Sequence, residues 1–167
     1  MEEYIDLVNE KDEVIGTEER TIVNKSGTKN FRTVNVFFVN SKGEVLIQHR
    51  SDNRRLFPGM WDFSAAGHIK HGEDYKDAAI RETKEELGVD VELKEVAHLS
   101  PYQYDISSFK KIYVAHYDGE LIYDTEGIES IFYKKPEEIK QILEQKDNKF
   151  LPDYETVFNY LYEHKLF

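Results

Sequence analysis

Short segments of the chain alternate apolar and polar residues with the period of two that half-buries a strand, and three longer ones carry helix signals. Tyr4 to Val8 and Glu13 to Ile15 flank Asn9-Glu10-Lys11-Asp12 and read as a small N-terminal hairpin. Arg20 to Asn30 is polar, with Asn24, Ser26 and Gly27, and reads as a loop. Thr33 to Val39 is β-branched and aromatic; after Asn40-Ser41-Lys42-Gly43 the pattern resumes at Val45-Leu46-Ile47, which predicts a hairpin of two central strands. Arg50 to Trp61, rich in arginine and closed by Phe57-Pro58-Gly59-Met60-Trp61, is a loop by its turn chemistry.

Asp74 to Leu87 contains neither Pro nor Gly, and Gly88 follows directly, so a helix body and its C-terminal stop are both present. Val89 to Val96, Lys111 to His116 and Ile128 to Tyr133 are strand candidates, with Glu120 to Tyr123 a weaker one. Pro136 suits a first helical turn, so Glu137 to Gln145 reads as a helix, and Asp153 to Glu163 as a last one. Strands outnumber helices, and the class is α/β or α+β, a mixed sheet flanked by helices.

Composition narrows this picture. At 167 residues the chain is expected to form one domain, 1–167, and its 11 Tyr and 10 Phe set it apart from disordered sequences despite 33% charged residues. There is no cysteine, which excludes disulfides, thiolate zinc sites and cysteine nucleophiles and fits a cytoplasmic protein. No apolar run is long enough for a signal peptide core or a membrane span, so a soluble protein without a membrane partner is expected. A net charge of −11 argues against binding polymeric nucleic acid, which needs a basic footprint. A small phosphorylated ligand remains compatible, provided metal ions or arginines supply local positive charge.

The chemistry concentrates in Gly67-His68-Ile69-Lys70-His71-Gly72-Glu73, then seven residues, then Arg81-Glu82-Thr83-Lys84-Glu85-Glu86-Leu87-Gly88-Val89. On a helix, Glu82, Glu85 and Glu86 fall within roughly a 100° arc. Ala79, Ile80, Thr83 and Leu87 gather on the neighbouring sector, suited to packing on a sheet. Glutamate-rich faces are usually solvated surface. Three carboxylates so close repel one another, however, and a hard cation such as Mg²⁺ prefers such oxygen ligands together with substrate phosphates.

The segment from Gly67 to Val89 matches the Nudix box, Gly-x5-Glu-x7-Arg-Glu-U-x-Glu-Glu-x-Gly-U with U a bulky aliphatic, at all seven fixed positions. A chance match has a probability on the order of 10⁻⁸ per start position, so the chain is identified as resembling the Nudix hydrolases. Thr83 departs from the first aliphatic position. The resemblance implies an α/β/α sandwich around a mixed sheet. It also implies divalent-ion ligation by Glu82, Glu85, Glu86 and the Gly67 carbonyl, and orienting ion pairs of Arg81 with Glu73 and Glu85. The implied reaction is Mg²⁺-dependent water attack on a diphosphate phosphorus, with Mn²⁺ as a substitute ion. Glu82 is the candidate base, with Glu126 and Glu129, outside the box, as alternatives.

Around the box, Arg50 is a candidate substrate-binding residue, with Arg54 and Arg55 in the loop that follows. Trp61 and Phe57 are expected in the core, His68 and His71 in simple loop roles, and Tyr102 and Tyr104 on the surface or in the core. The frame Ile5 to Thr17, Asn40 to Arg50, Phe57 to Trp61 and Gly67-His68 further resembles the type 1 isopentenyl diphosphate isomerase branch. That branch needs a cysteine where Ala66 stands and a histidine where Phe31 stands, so hydrolysis ranks above isomerisation, and the intact set of box carboxylates ranks it above a non-catalytic nucleotide-sensing module. The expected partner is a small diphosphate-containing substrate, bound by a monomer or homodimer.

Overall fold

The structure, a computed structural model, describes residues 2–147 and 149–167. Strands β1 (Tyr4–Val8) and β2 (Val14–Glu19) form the N-terminal antiparallel hairpin, followed by helix α1 (Arg20–Ser26). A second, mixed sheet contains β3 (Arg32–Val39), β4 (Val45–Arg50), β5 (Trp61–Asp62), β6 (Ala65–His68), β7 (Lys94–Leu99), β8 (Phe109–His116) and β9 (Ile128–Lys134). Helix α2 (Tyr75–Leu87) lies between β6 and β7; α3 (Pro136–Glu144) and α4 (Tyr154–Glu163) follow β9.

β3 is buried along nearly its whole length because both of its faces are covered. Val34, Val36 and Phe38 point to the layer formed by Ala78, Ala79 and Leu87 of α2. Phe37 and Val39 point the other way, to Ile139 and Leu143 of α3 and Tyr154, Val157, Phe158 and Leu161 of α4. Helices on both faces of a mixed sheet make the expected α/β/α sandwich. No helix among the described residues is long and apolar enough to cross a membrane.

Along one edge β3 pairs in parallel with β8 from Arg32↔Phe109 to Val39↔His116. Along the other it pairs with β6 from Thr33↔His68 to Val36↔Ala65, and with β4 only at Val39↔Val45. The sheet therefore splays between β4 and β6, and polar side chains complete the missing ladder. Ser64 Oγ accepts from Phe38 N at 2.8 Å and donates to Leu46 O at 2.7 Å, while Gln48 Nε2 donates to Ser64 O at 2.7 Å. That opening is where α2 brings its carboxylates.

α2 starts at Asp74, whose carboxylate accepts from Asp77 N at 2.9 Å, and stops at Gly88, which takes φ 71° as helix-ending glycines do. The other predicted helices and the central strands lie within a residue or two of expectation. Arg20 to Asn30 is a correction: most of it is helix α1, anchored by Val23 against Ile5 and Phe31. β7 begins at Lys94, five residues later than predicted, because Val89, Val91 and Leu93 pack against the α2 layer as irregular chain. Glu120 to Tyr123 is not a strand, and Ile80 is exposed while Ala78 takes its place under the helix.

The hairpin is fastened by buried charge. Asp12 accepts from Arg32 Nε at 2.6 Å and Tyr75 Oη at 2.7 Å and lies 2.9 Å from His98 Nε2. Asp6 lies 2.6 Å from His71 Nδ1, so His71 ties β1 to the β6–α2 loop.

Candidate active site

A cleft of about 450 Å³ opens where α2, the splayed sheet, the loop after β4 and the start of α1 meet. The charged residues singled out in the box helix reach it: Arg81, Glu82, Glu85 and Glu86 all line the cleft, as do Gly67 and Arg50, while Ala79, Ile80, Thr83 and Leu87 do not.

Glu86 sits at the splay. Its Oε2 accepts from Gln48 Nε2 at 2.8 Å and from Ala66 N at 3.1 Å. Burial, and after it the charges of Asp62 and Glu82, push its carboxyl up to about 8. Burial likewise raises Glu82 against the pull of Arg81. Asp62 is raised by burial although Arg50 Nη1 donates to its Oδ2 at 2.6 Å. Gly67 completes this group because a Cβ at that position would overlap the Glu82 carboxylate.

Arg81 holds the carboxylates in place. Its Nε and Nη2 donate to the two oxygens of Glu73 at 2.8 and 2.9 Å, its Nη1 to Glu82 Oε1 at 2.6 Å, and its Nη2 also to His68 O at 3.1 Å. Glu85, with a side chain 55% exposed, is a looser partner at 3.3 Å. The ion pair expected with Glu73 is present; Glu82 rather than Glu85 is the second strong partner. With the guanidinium drawing on Glu82 and Glu85, no three acidic or histidine side chains among the described residues converge tightly enough to hold an ion by themselves. The donor set nevertheless suits a hard cation: burial raises the carboxyls of Glu82, Asp62 and Glu86, and the charges of Asp62 and Glu82 both reach Glu86, so oxygen ligands of like charge crowd together there.

The arginines of the loop divide their work. Arg50 is spent inside the protein, on Asp62 and on the carbonyls of Leu56 at 2.9 Å and Phe57 at 3.1 Å. Arg54 is less engaged: its Nε donates to Gly127 O at 3.1 Å, while its Nη2 lies 3.7 Å from Glu86 and 4.0 Å from Asp124. Arg55 does not line the cleft. Phe57 is a correction: it is exposed at the cleft wall with φ 53°, not in the core. Trp61 packs as expected, edge-on to Phe132 and Phe150.

Neither Glu126 nor Glu129 lines the cleft; Glu129 lies 3.0 Å from His49 Nδ1, and Asp124 is the acid of that region in the cleft wall. His68 lines the cleft from β6, stacked on Phe31, and burial followed by the charges of Arg20 and Lys110 lowers it to about 3, so it is neutral. Tyr102 and Tyr104 stay outside, the first bonded to Asn30 Oδ1 and the second packed on Tyr160. Sequence reasoning missed Asn35, Asp62, Lys110, Asp124, Asp153 and Arg20, all of which line the cleft.

A NUDIX domain family model matches residues 29–154. A Nudix hydrolase of Nostoc sp. is 39% identical over 140 residues, covering 82% of this chain and 83% of that one. An isopentenyl-diphosphate Delta-isomerase of Serratia proteamaculans is 32% identical over 126 residues, covering 72% and 69%. A crystal structure of a Deinococcus radiodurans protein superimposes with a TM-score of 0.90 at 32% identity, over 96% of this chain and 99% of the other. Sequence, fold and the arrangement of box residues agree, and the chain belongs to the Nudix hydrolase family.

Proposed function

We propose that this chain hydrolyses a diphosphate linkage in a small anionic substrate, with Mg²⁺ or Mn²⁺ bound by Glu82, Glu85, Glu86 and the carbonyl of Gly67. The observation that carries the reading is the buried pair Glu82 and Glu86, lining a substrate-sized cleft where only a glycine at position 67 leaves room for Glu82. Such concentrated negative charge in a site for an anion calls for a cation. When bound, the ion supplies charge neutralisation for the phosphate oxygens and acidifies the attacking water.

The remaining work falls to the chain's own side chains. Arg81, fixed by Glu73, keeps Glu82 oriented, as a supporting partner of a ligand does. Gln48 and the Ala66 N–H aim Glu86. Arg54, held through Nε by Gly127 O, can offer its loosely paired Nη2 to a phosphate oxygen. Glu82, kept in place by Arg81, is the candidate acceptor for the proton of the attacking water. Isomerisation of the kind named for the Serratia relative needs an acid where Ala66 presents only a methyl group, so hydrolysis is the favoured reaction.

The test is a panel of nucleoside triphosphates, nucleotide sugars, dinucleoside polyphosphates and prenyl diphosphates incubated with Mg²⁺ or Mn²⁺, with products identified. Metal-dependent cleavage at a diphosphate, lost in Glu86→Gln and Glu85→Gln variants that still fold, is the expected result. Turnover unchanged in both variants would remove the metal assignment. Double-bond migration of isopentenyl diphosphate without phosphate release would reverse the choice of reaction.

A further inference from the structure

Three buried side-chain polar atoms lack a hydrogen-bond partner among the described residues: Asn35 Oδ1, Thr83 Oγ1 and Tyr154 Oη. Only Asn35 belongs to a residue lining the cleft. It is 3% exposed, in the middle of β3 between the apolar Val34 and Val36. A buried amide oxygen without a partner destabilises a fold, and an apolar side chain there would avoid that loss. Polar groups kept at such a cost are characteristic of functional sites.

The surroundings of Asn35 sharpen this. One pair along the strand, Thr33 Oγ1 lies 2.8 Å from Ser108 Oγ, and Lys110 Nζ donates to both and pairs with Asp153 at 2.8 Å. That neighbouring cluster is satisfied within the protein; Asn35 is not. Asn35 stands directly opposite Ala66, whose N–H is bonded to Glu86, so it lies one strand away from the carboxylates. Leu56, Phe57, Leu151 and Pro152 give the same cleft apolar walls. Apolar walls with a few placed polar groups are how small-molecule sites fix orientation.

Resting on the hydrolytic reading above, we propose that Asn35 is a specificity-determining residue whose amide hydrogen-bonds the edge of a flat nitrogen heterocycle, of the nucleobase type, carried by the diphosphate. The walls accept the faces of such a ring and the amide reads its edge. A prenyl chain in the same place would leave Asn35 unmatched.

The experiment measures binding of non-cleavable α,β-methylene diphosphate analogues in the presence of Mg²⁺. Adenosine is compared with inosine, and cytidine with uridine, the members of each pair differing in an amino or a carbonyl group at one ring position. The wild-type chain is expected to prefer one member of at least one pair by tenfold or more. In Asn35→Leu and Asn35→Ala that preference is expected to fall to about twofold or less, the favoured analogue losing about 10- to 100-fold in affinity. A wild-type chain without a tenfold preference, a preference surviving in both variants, or a prenyl diphosphate bound as tightly as the nucleotides overturns the assignment. Cleavage of ordinary nucleotides is followed on the same preparations. Discrimination without cleavage sinks the hydrolytic reading alone, and cleavage without discrimination sinks the role of Asn35 alone.

Discussion

Removing the guanidinium of Arg81 should be far more damaging than losing an ordinary surface ion pair. Arg81 serves Glu73 through two hydrogen bonds, Glu82 through one at 2.6 Å and the His68 carbonyl through a fourth. The side chains of Arg81, Glu73 and Glu82 are only 19%, 15% and 13% exposed, so water cannot easily replace the arginine. Arg81→Ala leaves two shielded carboxylates without their cation, at a cost of about 3 kcal/mol, the low end of what breaking a buried pair incurs. For a chain of this size that corresponds to a fall in Tm of about 6–12 °C. Thermal unfolding followed by circular dichroism, with urea titrations to check that the m-value is unchanged, measures it. The partner effect is equally specific: in Arg81→Ala/Glu73→Gln one stranded charge is gone, so the double variant should recover about 1 kcal/mol relative to additivity. A loss below about 1 kcal/mol, the scale of an exposed pair, or strict additivity of the two changes would refute the reasoning.

Two further outcomes follow from other parts of the molecule. Gly67→Ala places a methyl group on the Glu82 carboxylate and should lower kcat/KM of the cleavage reaction by about 100-fold or more, on the scale expected for misplacing a reacting group, with the circular dichroism spectrum retained. At Asp153, burial opposes ionisation, but the Lys110 ammonium at 2.8 Å and the donors of Ser107 hold the carboxyl below its ordinary value of 3.8. A folded-state value below the unfolded one gives stability that is present above that ordinary value and lost as pH falls through the folded one. Melting temperatures measured against pH should therefore show Asp153→Asn well below wild type at pH 7, with the gap closing below pH 3.8; a gap independent of pH would contradict the assignment.

What could be read from the sequence was whatever depends on neighbours along the chain. α2 was legible because Asp74 to Leu87 holds no Pro or Gly and Gly88 performs a local task, reversing the backbone; the capping by Asp74 appears only in the structure. The glutamate arc was legible because helical geometry alone brings Glu82, Glu85 and Glu86 together. α1 was not: it is seven residues long with no side-chain cap, and Val23 is held by Ile5 and Phe31 from other elements. Propensity yields to tertiary packing in so short a helix. The rest of the cleft was hidden for the same reason. Asn35 and Asp62 approach the box only through the register of β3 with β6 and the splay beside β4, and Asp124 through its backbone N–H, which donates to Glu86 O at 2.9 Å. Lys110 arrives by the parallel pairing of β3 with β8, which joins residues some eighty positions apart in the chain. Arg50 shows the converse limit: its place in the cleft was foreseeable, but its engagement with Asp62 and the loop carbonyls was not.

The central claim is that the shielded carboxylates of α2 form a cation site. The most direct measurement is Mn²⁺ binding followed by electron paramagnetic resonance, in the wild-type chain and in Glu82→Gln and Glu86→Gln, with and without a non-cleavable diphosphate. The account expects saturable binding that the diphosphate strengthens and that either substitution weakens at least tenfold. Binding that is absent from the wild type under both conditions, or equally tight in all three proteins, would contradict it.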